Sequence, residues 1–334
     1  CKARGGQTAQ ATVLTTRAPL ASLDELKARF PVGEQQAPPK RERARVPSKA
    51  TLDEVHRLLE GKLSADEISG VPTGWKELDK LYKPVRGEFT VVTGIPGSGK
   101  SEWLLSLLLN LSELHGWRNA VCAFEHKHED LALQMLEKKH RCHYRMLPAN
   151  LDKSEQFLKQ HVLPIGSFSQ ELDIDDVIAA AQYYADVNRS SGGLHGLMID
   201  PYNYITRPSN ISETDFVSGM LTKVKQFAVQ NHVHVWLVVH PVKQGKWKNA
   251  EKPNLYDCSG SAHFFNKCDM GIIVHRSRAV EDAQYGAVML SVEKVRNKEA
   301  GEVGATTLYF DRSSREFSEQ KPETPIVDDS DEEQ

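Results

Sequence analysis

Phe89-Thr-Val-Val-Thr93 runs directly into Gly94-Ile-Pro-Gly-Ser-Gly-Lys100-Ser101, and that in turn into Glu102-Trp-Leu-Leu-Ser-Leu-Leu-Leu-Asn-Leu-Ser-Glu-Leu114. The first five residues read as a buried strand, the last thirteen as a helix, and the eight between them spell G-x-x-x-x-G-K-[ST]. In that strand–loop–helix setting the pattern reads as a phosphate-binding loop. Gly94, Gly97 and Gly99 let successive backbone N–H groups turn inward around phosphate oxygens, Pro96 and Ser98 complete the nucleotide-binding loop, and the helix N-terminus adds unpaired donors of its own. Lys100 is placed to bridge the β- and γ-phosphates, and Ser101 to hold Mg²⁺ through its hydroxyl. The cofactors expected are ATP, or another nucleoside triphosphate, and Mg²⁺.

Further apolar runs flank this unit. Ala120 to Phe124, Gly196 to Ile199, Val233 to Val239, Met270 to Val274, Val288 to Val292 and Thr307 to Phe310 are rich in Val, Ile, Leu and Phe without strict alternation. That pattern suits strands buried on both faces, as in a parallel sheet flanked by helices. Helical patterns fall between them at Asp130 to Cys142, Ile174 to Asn188 and Asp215 to Asn231. The expectation is one α/β domain over residues 71–318 with a mostly parallel sheet.

The ends read differently. Residues 1–50 hold five prolines and the basic run Lys40-Arg-Glu-Arg-Ala-Arg45, and carry a net charge of +6; they read as a flexible linker, with contact to nucleic acid as the alternative. Residues 51–70 open on a capping box, Thr51-Leu-Asp-Glu54. Leu52, Val55, Leu58, Leu59 and Leu63 follow at helical spacing, for an amphipathic helix that packs on its own domain or on a neighbouring subunit. Residues 319–334 form an acidic tail, expected to be disordered. The overall net charge of -3 conceals this polarity. No apolar run approaches the ~18 residues of a membrane span. The five cysteines, without a C-x-x-C pair, suggest neither a disulfide framework nor a zinc ribbon and favour a reducing compartment. His126, His128, His140, Cys142 and His143 lack a coherent ligand spacing, so zinc is not expected there.

Three more strand ends carry chemistry. Gly196-Leu-Met-Ile-Asp200 ends in a carboxylate, the form expected of the Asp that orients a Mg²⁺ shell. Glu125 follows the strand Ala120 to Phe124; on a strand beside the phosphate loop it would face the γ-phosphate and accept a proton from attacking water. His240 ends the strand Val233 to Val239, where an imidazole can hydrogen-bond the γ-phosphate and report its loss.

Taken with the phosphate loop, Ile-Asp-Pro-Tyr-Asn (199–203), Asn-Leu-Tyr-Asp-Cys-Ser-Gly-Ser-Ala-His-Phe (254–264), Asn-Lys-Cys-Asp (266–269), Gly-Ile-Ile-Val-His-Arg (271–276) and Lys-Val-Arg-Asn-Lys (294–298) resemble the helicase domain of Twinkle-type organellar primase-helicases, particularly the plant and algal form. These belong with DnaB and the bacteriophage primase-helicases among hexameric helicases built on a RecA-like core. The resemblance implies a RecA-like P-loop NTPase fold and a ring-forming replicative helicase that moves along single-stranded DNA and unwinds forked duplexes, in a mitochondrion or plastid, with possible replisome partners. It repeats the roles read above for Lys100, Ser101, Glu125, Asp200 and His240. It adds Arg296 as an arginine finger given to the neighbouring subunit's nucleotide, with Lys294 beside it, and Arg276 and Phe310 flanking the base. It also implies that channel loops touch DNA: Lys243, Lys246, Lys248 and Trp247 after the His240 strand, and Ser259, Gly260 and Ser261 through backbone N–H groups. Residues 1–70 supply none of the cysteines or acidic cluster of a primase region, so priming is not expected of this chain.

Two other readings stand beside the helicase. One is a recombinase-like or clock-type ATPase of the same core that assembles on DNA or protein without unwinding. The other is an inactive interaction fragment.

Overall fold

The structure, a computed structural model, describes residues 68–166, 170–241, 253–258, 262–276 and 285–323. The capping-box helix, the basic leader, the extreme acidic tail and all seven expected DNA-contacting residues (Lys243, Lys246, Trp247, Lys248, Ser259, Gly260 and Ser261) lie outside the described residues.

A nine-stranded sheet organises the chain. Its strands are β1 (Phe89–Thr93), β2 (Asn119–Ala123), β3 (Val162–Pro164), β4 (Gly196–Asp200), β5 (His234–Val239), β6 (Met270–His275), β7 (Ala287–Val295), β8 (Gly304–Asp311) and β9 (Glu316–Ser318), in the spatial order β3-β2-β4-β5-β1-β6-β7-β8-β9. The six from β3 to β6 in that order are parallel, and β6-β7-β8-β9 are antiparallel. A mostly parallel α/β sheet is therefore what the apolar runs encode. The helices are α1 (Lys76–Leu81), α2 (Lys100–His115), α3 (His128–His140), α4 (Asp152–His161), α5 (Ile174–Val187), α6 (Glu213–Asn231) and α7 (His263–Lys267).

Burial explains the absence of alternation. Every residue of β1, β4, β5 and β6 is buried. Neighbouring side chains go to opposite layers: Val91, Leu197 and Val235 join one core with the apolar faces of α5 and α6, while Val92, Met198 and Trp236 join the other with α2 and α3. Helix α2 has ten of its sixteen residues buried, among them seven leucine and tryptophan side chains and also Lys100, Ser106 and Ser112. The helix that follows the phosphate loop is thus embedded in the core, with its remaining polar residues at its two ends and at Asn110.

One expectation fails in its stated reason. Strand β2, which leads to Glu125, is not beside β1: β5 and β6 flank β1, and β4 and β5 stand between β1 and β2. Several short elements leave no mark in the sequence pattern. β3 and β9 have only three residues each, and Pro164 sits where a missing backbone donor costs little, on the sheet edge. Helices α1, α4 and α7 are too short or too weakly patterned for periodicity to reveal.

Candidate nucleotide site

Backbone geometry sets the loop. An added Cβ on Gly94 would lie 2.2 Å from the carbonyl oxygen of Val274, so this strand exit has room only for glycine. Gly99, the N-cap of α2, has φ 91°, a left-handed conformation that glycine adopts without steric cost. Lys100 then begins the helix. Its ammonium, on a residue only 5% exposed, donates to the carbonyl oxygens of Gly94 at 2.9 Å and Ile95 at 3.1 Å. Burial pushes its pKa down, and the charges of Asp200 and Glu125 pull it back.

The parallel register gathers the strand ends. Ala123 pairs with Asp200, and Phe124 N–H donates to Asp200 O at 2.9 Å, so Glu125 and Asp200 emerge from neighbouring strands. Thr93 pairs with Val239, which brings His240 to the phosphate loop. His240 Nε2 stands 3.8 Å from Glu125 Oε1. Burial, and after it the Lys100 charge, lower the pKa of the imidazole, while Glu125 opposes them. His240 Nδ1 is buried with no hydrogen-bond partner among the described residues.

Asp200 is 4% exposed. Burial raises its pKa, and the Ser101 hydroxyl and the Lys100 charge hold it down. Its Oδ2 is buried and likewise has no hydrogen-bond partner among the described residues. An unsatisfied carboxylate oxygen next to a serine hydroxyl fits a small hard cation, which takes oxygen ligands and keeps several waters. Ser101 and Asp200 are the residues that would hold Mg²⁺.

A cavity of about 500 Å³ opens beside the phosphate loop. Pro96, Gly97, Ser98, Gly99, Lys100, Ser101, Glu125, His240, Arg276 and Phe310 are among the residues that line it, and Gly94 and Asp200 are not. Arg276 and Phe310 therefore share the cavity with the phosphate loop. His126, Gln134, Glu102, Val288 and Phe317 line it too, and sequence reasoning does not assign them to the site. Glu102 and His126 adjoin the expected Ser101 and Glu125, whereas Gln134, Val288 and Phe317 come from α3, β7 and β9, which only the folded chain brings to the cavity.

Lys294 and Arg296 are not in this cavity. They lie at the far end of β7, where Met270 pairs with Val295, whereas the cavity lies at the other end of the same sheet, past His275. Six residues of β6 separate the two ends, roughly 20 Å at strand spacing. Arg296 donates through one terminal nitrogen to Asp269 Oδ1 at 3.2 Å and through the other to Asn266 O at 3.2 Å. Lys294 Nζ donates to the carbonyl oxygens of Phe265 and Asn266. The two cations cannot reach the nucleotide cavity of their own chain.

Residues 70–319 match the family described as the DnaB-like helicase C-terminal domain. The chain belongs to that family. Among curated relatives, this DnaB-like domain is similar to the chloroplastic/mitochondrial Twinkle homolog protein of Arabidopsis thaliana, at 45% identity over 77% of this chain and 37% of that protein. It is also similar to the replicative DNA helicase DnaC of Bacillus subtilis, at 23% identity over 80% of this chain and 60% of that one. The chain thus spans between about a third and three-fifths of the length of these relatives. Two solved structures share its fold: an ATPase domain, with TM-score 0.67 and 19% identity over 82% of this chain and 100% of that one, and a DnaB-like replicative helicase described with its primase interactions, with TM-score 0.63 and 19% identity over 81% of this chain and 67% of that one. The sheet order and phosphate loop of the DnaB-like domain are therefore those of a RecA-like ATPase core. No helix among the described residues is long and apolar enough to cross a membrane.

Proposed function

We propose that the chain is the motor of an ATP-dependent replicative DNA helicase, acting as a homo-oligomeric ring, hexameric as its DnaB-like membership suggests, on single-stranded DNA and forked duplexes. The observation that carries this reading is the split of the catalytic groups between two ends of one sheet. Pro96 to Ser101, Glu125 and His240 line one cavity, and Asp200 ends the strand next to that of Glu125, while Lys294 and Arg296 sit at the opposite end; in this reading a complete site takes two copies of the chain.

In this reading Lys100 carries the β- and γ-phosphates, and Ser101 and Asp200 hold Mg²⁺, which neutralises charge on the transferring phosphoryl group. Glu125 takes the proton of the attacking water, and His240 senses the γ-phosphate through hydrogen bonding. Arg276 and Phe310 flank the base, where a guanidinium and a ring face stack on it. Arg296, with Lys294, stabilises developing charge on the nucleotide of the adjacent subunit. Lys243, Lys246, Trp247, Lys248 and the Ser259-Gly-Ser261 backbone contact DNA. Residues 71–318 are the motor, 1–50 a linker, 51–70 a helical connector and 319–334 a tail. The Arabidopsis relative points to a mitochondrion or plastid.

DNA-stimulated ATP hydrolysis and unwinding of a forked duplex test this directly. Lys100→Ala is expected to abolish both, and Arg296→Ala to abolish both while nucleotide affinity stays within about threefold. Fork unwinding at the wild-type rate by Lys100→Ala would overturn the reading. Open filaments with strand exchange and no unwinding would favour the recombinase-like alternative.

A further inference from the structure

We propose that Asp269 is a positioning residue for Arg296, holding the guanidinium in the pose from which it serves the neighbouring subunit's nucleotide. The proposal rests on the reading of Arg296 as a group acting in trans.

Asp269 immediately precedes β6, and its side chain is 3% exposed. A carboxylate that dry is retained only with several partners. Here Oδ2 accepts from Phe89 N–H at 2.9 Å and from Lys225 Nζ at 2.6 Å, while Oδ1 faces Arg296 at 3.2 Å. The backbone repeats the tie, since Arg296 N–H donates to Asp269 O at 2.9 Å. Arg296 itself remains 53% exposed on its side chain. A guanidinium has five N–H donors, and among the described residues two are used, on Asp269 and on Asn266 O. The remaining donors can meet a phosphate arriving from outside.

The arrangement divides the work. Lys225 and the Phe89 amide fix Asp269 to the sheet, and Asp269 fixes one edge of the guanidinium. The other edge faces outward and has lost part of its rotamer entropy before an adjacent subunit docks, which is how preorganisation lowers the cost of a binding step. An arginine on an unanchored chain would have to be ordered at each turnover.

Trans-rescue separates this role from a structural one. Glu125→Gln subunits, which keep the phosphate loop and Arg296, are assembled with Arg296→Ala subunits, which keep an intact cavity, using ATP and Mg²⁺. Hydrolysis is expected to return, because each Arg296→Ala cavity next to a Glu125→Gln subunit regains an arginine. Replacing the donor by Glu125→Gln/Asp269→Asn is expected to lower that rescued rate on the order of tenfold, with the KM for ATP unchanged. The donor's own cavity is already inactive, so only what it supplies to its neighbour is read. Glu125→Gln/Lys225→Met loosens the anchor of the carboxylate but keeps the Phe89 N–H bond and the Asp269–Arg296 contact, and should lower the rescued rate less than Glu125→Gln/Asp269→Asn does.

Equal rescue by the Asp269→Asn donor would overturn the positioning role and leave the trans reading intact. Absence of rescue by Glu125→Gln itself would overturn the trans reading and this proposal with it. Labelled subunits report co-assembly: an Asp269→Asn donor excluded from rings, or an equal loss with Lys225→Met, would make the cluster a structural element and overturn the proposal.

Discussion

Glu125 and His240 show how little separates a structural pair from a reactive one. At 3.8 Å they are not hydrogen-bonded, and burial together with the Lys100 charge keeps the imidazole neutral at ordinary pH, so no ion pair locks the carboxylate. A carboxylate held at the mouth of the cavity and not consumed by a partner is available as a proton acceptor. Glu125→Gln keeps the shape and removes the basicity. Single-turnover hydrolysis by that variant is expected to fall by about 10²–10⁴-fold, the usual contribution of a positioned general base, while binding of a fluorescent ATP analogue changes less than about threefold. A parallel loss of binding would show that Glu125 holds the nucleotide instead of activating water.

At the scale of elements, much is legible in the sequence and some of it for the wrong reason. The phosphate loop announces itself by its glycine spacing between a strand and a helix, and β4 and β5 by apolar runs that lead to Asp200 and His240; the parallel register then brings Lys100, Asp200 and His240 together. Glu125 stands out in the sequence as following a strand beside the loop, yet β2 lies three positions from β1 and reaches the cavity because β4 and β5 end at the same level. Strand order is a long-range property that no local pattern carries. For the same reason Gln134, Val288 and Phe317 are invisible in the sequence, and Arg276, Phe310 and Arg296 come only through resemblance. The tie between α2 and α3 is another such feature. Lys138, whose side chain is 3% exposed, is ion-paired with Glu102 one residue past Ser101, and its ammonium lies 5.4 Å from the centroid of the Phe310 ring. Lys138→Met leaves Glu102 without its partner, but at 32% exposure that carboxylate can turn to water. The loss on chemical denaturation is expected at about 1–2 kcal/mol, below the range for a fully buried pair, and Lys138→Met/Glu102→Leu is expected to recover most of it.

For the molecule as a whole, the packing of one histidine predicts how stability depends on pH. His234 is fully buried in β5, with Nδ1 2.7 Å from Val85 O and Nε2 3.0 Å from Thr90 Oγ1 and 3.2 Å from the Tyr82 hydroxyl, which also accepts from Trp236 Nε1. This satisfies a neutral ring that donates from Nδ1 and accepts at Nε2. A second proton would place a charge in a dry core, and burial lowers the pKa from 6.5 to about 4. Because the unfolded chain takes up that proton first, His234 supports the fold fully above pH 6.5, and its contribution drains away as pH falls from 6.5 towards 4. At about 1.4 kcal/mol per unit, the total is roughly 3 kcal/mol. His195, lowered to about 4 by burial and the nearby Arg86 and Arg118 charges, acts in the same direction. Asp200 and Glu88, both raised by burial, act in the opposite one as the folded state gains protons there. Comparison with His234→Gln removes these shared terms. The variant is expected to be less stable at pH 7.5, having lost the network, yet to show a flatter decline between about pH 6.5 and 5 in urea denaturation. Equal slopes for the two proteins would mean that His234 takes up its proton as readily folded as unfolded, and that the network tolerates a charge the burial of this core forbids.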